Sequence, residues 1–373
     1  MAHAYTPGLR VTERTRILKV RRLPLKGQVV VKKGDKVQAE TVVARTDLPG
    51  NVQPVKAASI LGVAQQDLRE FMLKKEGDQV AKDEVIATSK SFFGLFKSHC
   101  RSPVEGTVES ISDVTGQVII REPPIPVQVE AYIDGVVGEV MPGEGVVVEA
   151  EGAFLQGIFG VGGETVGQLQ IVVPSPDVEL TEAHLKPEHA GKVVVGGSLI
   201  RIPALRRAIQ LGVKAVVVGG LDDQDLRSLL GYDLGVAITG QESIGATIVV
   251  TEGFGAMTMA RRTFDLLGRF EGKKVSVNGA TQIRAGVMRP EIVIPMSGEK
   301  ASAAREVANE GLAIGSPVRV IRMPYFGRLG EVVGLPPELQ KLETEAKVRV
   351  LKVRFDGGEE AVLPRANVEM IES

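Results

Sequence analysis

The chain has 373 residues, with 43 glycines, 20 prolines, no tryptophan, 11 phenylalanines and 4 tyrosines. Average soluble chains carry about 7% glycine, so this one is turn-rich, yet its 43% hydrophobic and 24% charged content excludes wholesale disorder, and the lack of a Gly-X-Y period excludes collagen. The 45 basic and 46 acidic side chains cancel to −1, without the basic excess by which a dedicated nucleic-acid binder neutralises phosphate.

Residues 1–16 form a basic tail without the apolar stretch of a secretory signal. No apolar run approaches the roughly 18 residues needed to span a bilayer, and a single Cys100 forms no internal disulfide. A cytoplasmic protein without membrane insertion is therefore expected. Charge is unevenly spread. Arg10 to Lys36 holds ten basic and two acidic residues, net +8, whereas Arg121 to Ala190 holds two basic and twelve acidic, net −10. Such blocks can neutralise each other within one molecule or between neighbours, and a homo-oligomer is expected.

Over residues 17–173 the sequence repeats itself. Lys32 to Ala44 (KKGDKVQAETVVA) is echoed by Lys75 to Ala87 (KEGDQVAKDEVIA) at an offset of 43, and Val104 to Ile111 (VEGTVESI) by Ile133 to Val140 (IDGVVGEV) at an offset of 29. Each unit reads as a Gly-Asp turn followed by alternating Val and Ile, which is strand-turn-strand chemistry. Because the echoes overlap in order, they predict interleaved β units rather than a solenoid. The GD-x-V unit followed by SPVEGTV resembles the barrel-sandwich hybrid of biotinyl and lipoyl carrier domains and of the C subunit of Rnf-type electron-transport complexes. In carriers the resemblance implies a modified lysine about eight residues before the proline of that segment. Here Lys90 lies thirteen residues before Pro103 and Lys97 six before it, and FFGLFKSHC intervenes without a carrier triplet. No cofactor is expected, and Phe92, Phe93 and Phe96 are read as plugging a barrel mouth or an interface.

Residues 174–190 gather proline and acids and read as a linker. From 191 to 300 continuous apolar strands alternate with helices: KVVVGG, the helix Ile202 to Gly212, KAVVVGG, the helix Asp222 to Gly231, GVAITG, ATIVVTEG, the helix Ala256 to Phe270, KKVSVNG and EIVIP. That pattern predicts a doubly wound parallel α/β domain. A connecting helix is expected over 301–314. Residues 315–373 alternate as a small antiparallel barrel. There VRVIRMPYFGRLGEVV resembles the KOW motif of SH3-like barrels in ribosomal proteins and transcription elongation factors, with Gly327 and Gly330 on its glycine positions.

Chemistry is sparse. The carboxyl edge of the α/β sheet is glycine-dense, where backbone N–H groups approach an anion most easily. Thr251, Glu252, Gly253, Asn278 and Arg284 are the expected anion or nucleotide residues there. The spacing matches neither a dinucleotide fingerprint nor a Walker loop. The histidines His3, His99, His184 and His189 lack a third ligand at metal spacing, and no catalytic residues are assigned. Arg319, Arg322 and Arg328 lie on or near the KOW-like loop, where the resemblance implies RNA or protein contact. Nine basic and nine acidic residues over 315–373 favour protein contact or packing within the chain over RNA. The expectation is a non-catalytic, self-associating binding or scaffold protein. Its alternatives are an enzyme or ligand sensor using the glycine-rich edge, and an RNA- or ribosome-associated factor acting through the barrel.

Overall fold

The structure is a computed structural model that describes residues 9–90, 97–231, 242, 244–281, 288–296, 314–320, 325, 328–336, 339–341, 347–355 and 358–372. It is mainly β, with 49% strand against 16% helix, so sheet pairing decides the architecture. None of the described helices is long and apolar enough to cross a membrane.

The echoes are two β modules, one nested in the other. In the outer module Lys36–Val37 pairs antiparallel with the start of Gly135–Met141, and Val42–Leu48 pairs with Ile125–Glu130. In the inner module Gln79–Val80 pairs with Gly106–Ser112, and Val85–Lys90 with Lys97–Arg101. The registers correspond residue for residue, including a bulge after Val42 in one copy and after Val85 in the other. The turn chemistry is shared as well. Asp35 Oδ2 accepts from the Lys32 N–H at 2.8 Å and Asp78 Oδ2 from the Lys75 N–H at 2.7 Å, while Gly34 and Gly77 take φ of 91° and 93°, which glycine adopts without steric cost. The inner module, with its own core around Ile86, Val108, Val118 and Ile120, is inserted where the outer hairpin Val42–Leu48/Ile125–Glu130 would otherwise turn. Residues 91–96, with all three phenylalanines, lie outside the described residues. Lys97 is exposed on the last pair of the inner hairpin, opposite Lys90.

The charge blocks meet within one chain. The long strand Leu9–Arg22 pairs antiparallel with Gly145–Gln156, and across that seam Arg14 meets Glu151 at 2.5 Å, Arg16 meets Glu149 at 2.9 Å and Arg22 meets Glu144 at 3.6 Å. Arg21 reaches Glu164 at 2.6 Å. This part of the basic block is therefore already paired within the chain, the first of the two ways in which the blocks were expected to neutralise each other.

Beyond the modules the sheet curls into a half-barrel. Its pairing order is Thr247–Phe254, Ala215–Leu221, Lys192–Val195, Glu164–Ile171, Lys274–Asn278, Glu291–Pro295 and Gly145–Gln156. The last strand continues after two residues into Phe159–Val161, which pairs back onto Thr247–Phe254. The first four strands are parallel, but Lys274–Asn278 and Glu291–Pro295 join antiparallel, correcting the expectation of an all-parallel sheet. Glu291–Pro295 reads as doubly covered because its Val293, with Phe154 of Gly145–Gln156, joins the outer module's core; a β module, rather than a helix, covers it there. Helices Ile202–Leu211 and Asp223–Leu230 end on left-handed Gly212 and Gly231, and Asp222 caps the second through the Gln224 N–H. The third helix spans Arg261–Arg269 and not Ala256 to Phe270. GVAITG and most of the connecting helix fall outside the described residues.

Residues 174–190 are packed structure rather than a bare linker. Leu180 and Leu185 are buried, and the Nδ1 atoms of His184 and His189 accept the Thr181 and Lys186 N–H groups, closing two 3-10 turns. The terminal strands Pro317–Val320, Leu329–Gly334, Leu339–Lys341, Lys347–Phe355, Glu360–Pro364 and Val368–Glu372 form an antiparallel unit with its own core. Leu9 and Arg10 join it by parallel pairing with Ile371 and Glu372.

Candidate functional site at the barrel junction

Two sets of residues read separately in the sequence come together in space. The strand Thr247–Phe254 is a β-branched run buried from Thr247 to Gly253. Near its end Glu252 is 6% exposed. One carboxylate oxygen accepts the Ala260 N–H at 3.0 Å, and the other meets Arg319 Nη1 at 3.2 Å. The same Nη1 also donates to the carbonyls of Thr251 and Glu252, each at 3.0 Å. Arg319 is 2% exposed. The period-two alternation of Pro317–Val320 puts Val318 and Val320 in the core of the terminal antiparallel unit and turns Arg319 the other way. A buried charge persists only when paired and hydrogen-bonded, and Arg319 meets both conditions inside its own chain. Packing within the chain, one of the roles weighed for these arginines, is therefore what Arg319 does.

The remaining expected residues divide. The Thr251 hydroxyl donates to the Val218 carbonyl at 3.3 Å. A side chain at Gly253 would meet the Met257 sulfur at 2.8 Å. Asn278 lies apart from Glu252 on Lys274–Asn278, where its Oδ1 accepts the Ala280 N–H at 2.9 Å. Arg284 and Arg322 lie outside the described residues.

The glycine-dense edge is filled by the chain itself, which corrects its reading as an open anion cradle. A Cβ on Gly219 would collide with the Met257 carbonyl, one on Gly220 with the Gly255 carbonyl, and one on Gly197 with the Val178 carbonyl. The N–H groups of Ser198, Gly219, Met257 and Met259 are spent on the carbonyls of Val178, Gly197, Ser198 and Pro176. These glycines admit crossing backbone, not a ligand. Residues 255–259 cross this edge as irregular backbone, turning at left-handed Gly255, and the third helix starts only at Arg261.

Beside the buried pair an open cleft of about 430 Å³ is lined by Pro176, Asp177, Thr258, Met259, Ala260, Arg261, Arg328 and Leu329. The helix Arg261–Arg269 begins at its wall, with no side-chain cap and no acid in its first turn. Its N-terminal N–H groups carry partial positive charge. The Arg328 guanidinium lies 3.9 Å from the Phe355 ring centroid and 5.5 Å from that of Tyr325, and pairs with Glu359 at 2.7 Å. The Asp177 carboxyl is held below its ordinary range by the Ser175 hydroxyl and its own backbone N–H, with a smaller contribution from Arg261.

A second polar cluster was not expected from sequence. Tyr132 is buried with φ of 70°, a left-handed conformation that costs a non-glycine residue of this bulk of order 1–3 kcal/mol. Its ring lies 5.9 Å from Lys19 Nζ and 5.3 Å from the Arg21 guanidinium. Those cations pair with Glu291 and Glu164, each at 2.6 Å. Burial first, then the two carboxylates, pushes the phenol well above its ordinary value. Among the described residues its hydroxyl makes no well-formed hydrogen bond, although Glu291 lies close enough to contribute to that rise. The backbone carbonyl of Tyr132 accepts from the Ser276 hydroxyl at 2.5 Å, fastening the outer module to the half-barrel. A tyrosine flanked by Ala131 and Ile133 carries no sequence mark of this role. Among the described residues no group of three or more His, Cys, Asp or Glu side chains could hold a metal ion.

No family model and no curated protein matches the chain.

Proposed function

We propose that this is a non-catalytic binding protein that holds a small anion, of the phosphate-ester class, in the cleft between the half-barrel and the terminal barrel. The observation that carries the reading is the convergence there of the uncapped start of Arg261–Arg269 with Arg261 and Arg328. Helix N-termini favour anions through unsatisfied N–H groups and the helix dipole, and arginine adds bidentate recognition. The Arg328–Glu359 pair is about half exposed; such pairs contribute roughly 0–1 kcal/mol, so an incoming anion can replace the carboxylate at little cost. The buried Glu252–Arg319 pair would supply the rigid floor. In this reading the nested modules are barrel-sandwich hybrids without a carrier lysine, the half-barrel is a variant of the doubly wound α/β plan, and the terminal unit is a KOW-like SH3 barrel used for packing rather than for RNA.

Thermal unfolding of the full chain against inorganic phosphate, sulfate and a panel of nucleoside mono- and diphosphates tests this. A ligand at about 100 times its Kd stabilises the folded state by about 2.7 kcal/mol. At least one phosphate ester should raise the melting temperature, and Arg261→Ala and Arg328→Ala should each reduce the rise. No stabilisation at millimolar ligand, or a rise that neither substitution alters, would overturn the reading.

A further inference from the structure

The two nested modules share one framework but not one environment. Beyond the strand registers, five backbone hydrogen bonds recur. The N–H groups of Gly34 and Gly77 bond the carbonyls of Val137 and Val108, and those of Val137 and Val108 bond the carbonyls of Asp35 and Asp78. Thr41 and Glu84 bond Gln38 and Ala81, Ala131 and Ser102 bond Thr41 and Glu84, and Asp35 and Asp78 bond Lys32 and Lys75. Residues 131–137 of the outer module are thereby matched to 102–108 of the inner one, and 32–44 to 75–87.

In the outer module this face is occupied. Lys274 of the half-barrel places its Nζ 2.8 Å from Glu40 and 2.8 Å from Asp134, and Ser276 anchors the Tyr132 carbonyl. The corresponding positions in the inner module are Asp83, Glu105 and Pro103, and all three are exposed. Among the described residues the Asp83 and Glu105 carboxylates have no ion pair or hydrogen bond. Glu105 also lines an open cleft of about 550 Å³ with Glu84 and Glu122. Three cations that border the area are engaged: Lys74 with Glu84 at 2.6 Å, Arg121 with Glu109 at 2.6 Å, and Arg101 with the Asp83 carbonyl at 2.7 Å. The fold thus presents a lysine-accepting face twice and fills it once.

We infer that the inner face is filled by a second copy of this chain, through the lysine turn of that copy's outer module. Lys26, Lys32, Lys33 and Lys36 are exposed and, among the described residues, form no side-chain ion pair or hydrogen bond. Together with Arg10, they are what remains of the basic block beside Arg14, Arg16, Lys19, Arg21 and Arg22, which pair internally. Lys36 opens the two-residue strand Lys36–Val37, so it is offered from a strand as Lys274 is. The turn and the acidic face are different surfaces, so the contact is heterologous and repeats head to tail, as a closed ring or an open filament.

Sedimentation velocity of the full chain tests this. At low salt and tens of micromolar, species larger than a monomer should appear and decline as salt shortens the screening length to about 8 Å near 0.15 M. The triple variant Lys32→Glu/Lys33→Glu/Lys36→Glu should sediment as a monomer, and so should Asp83→Lys/Glu105→Lys. Mixed one to one, the two variants should form alternating hetero-oligomers, because the intact acidic face of one meets the intact lysine turn of the other and the reversed turn and face are complementary too. All substituted side chains are exposed, so circular dichroism identical to wild type verifies folding. A monomeric wild type at low salt, association indifferent to either variant, or a mixture that stays monomeric would each overturn the inference. None of these outcomes bears on anion binding, since the two surfaces share no residue.

Discussion

Replacing Arg319 by Met keeps most of its aliphatic volume and removes the cation that the buried Glu252 carboxylate faces at 3.2 Å. Among the described residues Glu252 would retain only the Ala260 N–H, at 3.0 Å, and the Thr251 and Glu252 carbonyls would lose their shared donor. Breaking a buried pair from one side costs about 3–5 kcal/mol because a charge is left uncompensated. That is a large share of the roughly 5–15 kcal/mol by which a domain is stable. Glu252→Gln removes the carboxylate that the guanidinium faces but leaves it the Thr251 and Glu252 carbonyls. The double variant Arg319→Met/Glu252→Gln leaves no buried charge, and its Gln can still accept the Ala260 N–H, so its loss should fall to about 1–2 kcal/mol. Urea unfolding followed by far-ultraviolet circular dichroism measures all four proteins. Limited proteolysis then locates the damage, which should begin as cleavage that releases the terminal antiparallel unit. Single-variant losses below about 1 kcal/mol, or a double variant equal to the sum of the singles, would refute the reasoning.

Three further outcomes follow from particular contacts. With no tryptophan and four tyrosines, phenol ionisation is readable by ultraviolet absorbance: Tyr132 should stay protonated above the ordinary value near 10. Its raised folded-state value means the stability it contributes is full below that ordinary value and is lost as pH rises toward the folded one; Tyr132→Phe should flatten this alkaline decline while changing neutral stability by less than about 1 kcal/mol. Burial lowers His189, so stability should hold above about pH 6.5 and fall as pH drops toward the depressed folded value; melting curves for His189→Gln should lose that portion of the slope, and an unchanged slope would contradict it. Gly219→Ala should cost about 1–3 kcal/mol or more by driving a methyl into the Met257 carbonyl, whereas a neutral effect in urea unfolding would show that the crossing segment yields.

The nested modules were legible because each depends on short-range chemistry written twice. The Gly-Asp turn at Gly34 recurs at Gly77 and the close approach at Gly135 recurs at Gly106, and the offsets carry over into register and bulge. The helix ends at Gly212 and Gly231 and the cap at Asp222 were legible for the same reason. What failed depended on distant partners. A glycine such as Gly219 reports that something approaches closely but not whether it is a phosphate or the Met257 carbonyl. Continuous apolar strands such as Glu291–Pro295 report cover on both faces, but a β module supplies it as well as a helix does. Arg319 and Glu252 lie 67 residues apart, and each read as a separate candidate because a lone charge in an apolar strand does not name its counterion. Tyr132 left no mark, since its strain and its flanking cations exist only once three segments meet.

The claim of a junction that holds an anion is tested most directly by calorimetric titration of the full chain, at low salt, with the phosphate ester that stabilises it most. The account predicts saturable binding at one site per chain, weakened by salt and reduced about tenfold or more in Arg261→Ala/Arg328→Ala, as expected when charge-assisted hydrogen bonds of about 1.5–3 kcal/mol are lost. Binding of equal strength in wild type and the double variant, or no heat at millimolar ligand, would contradict it.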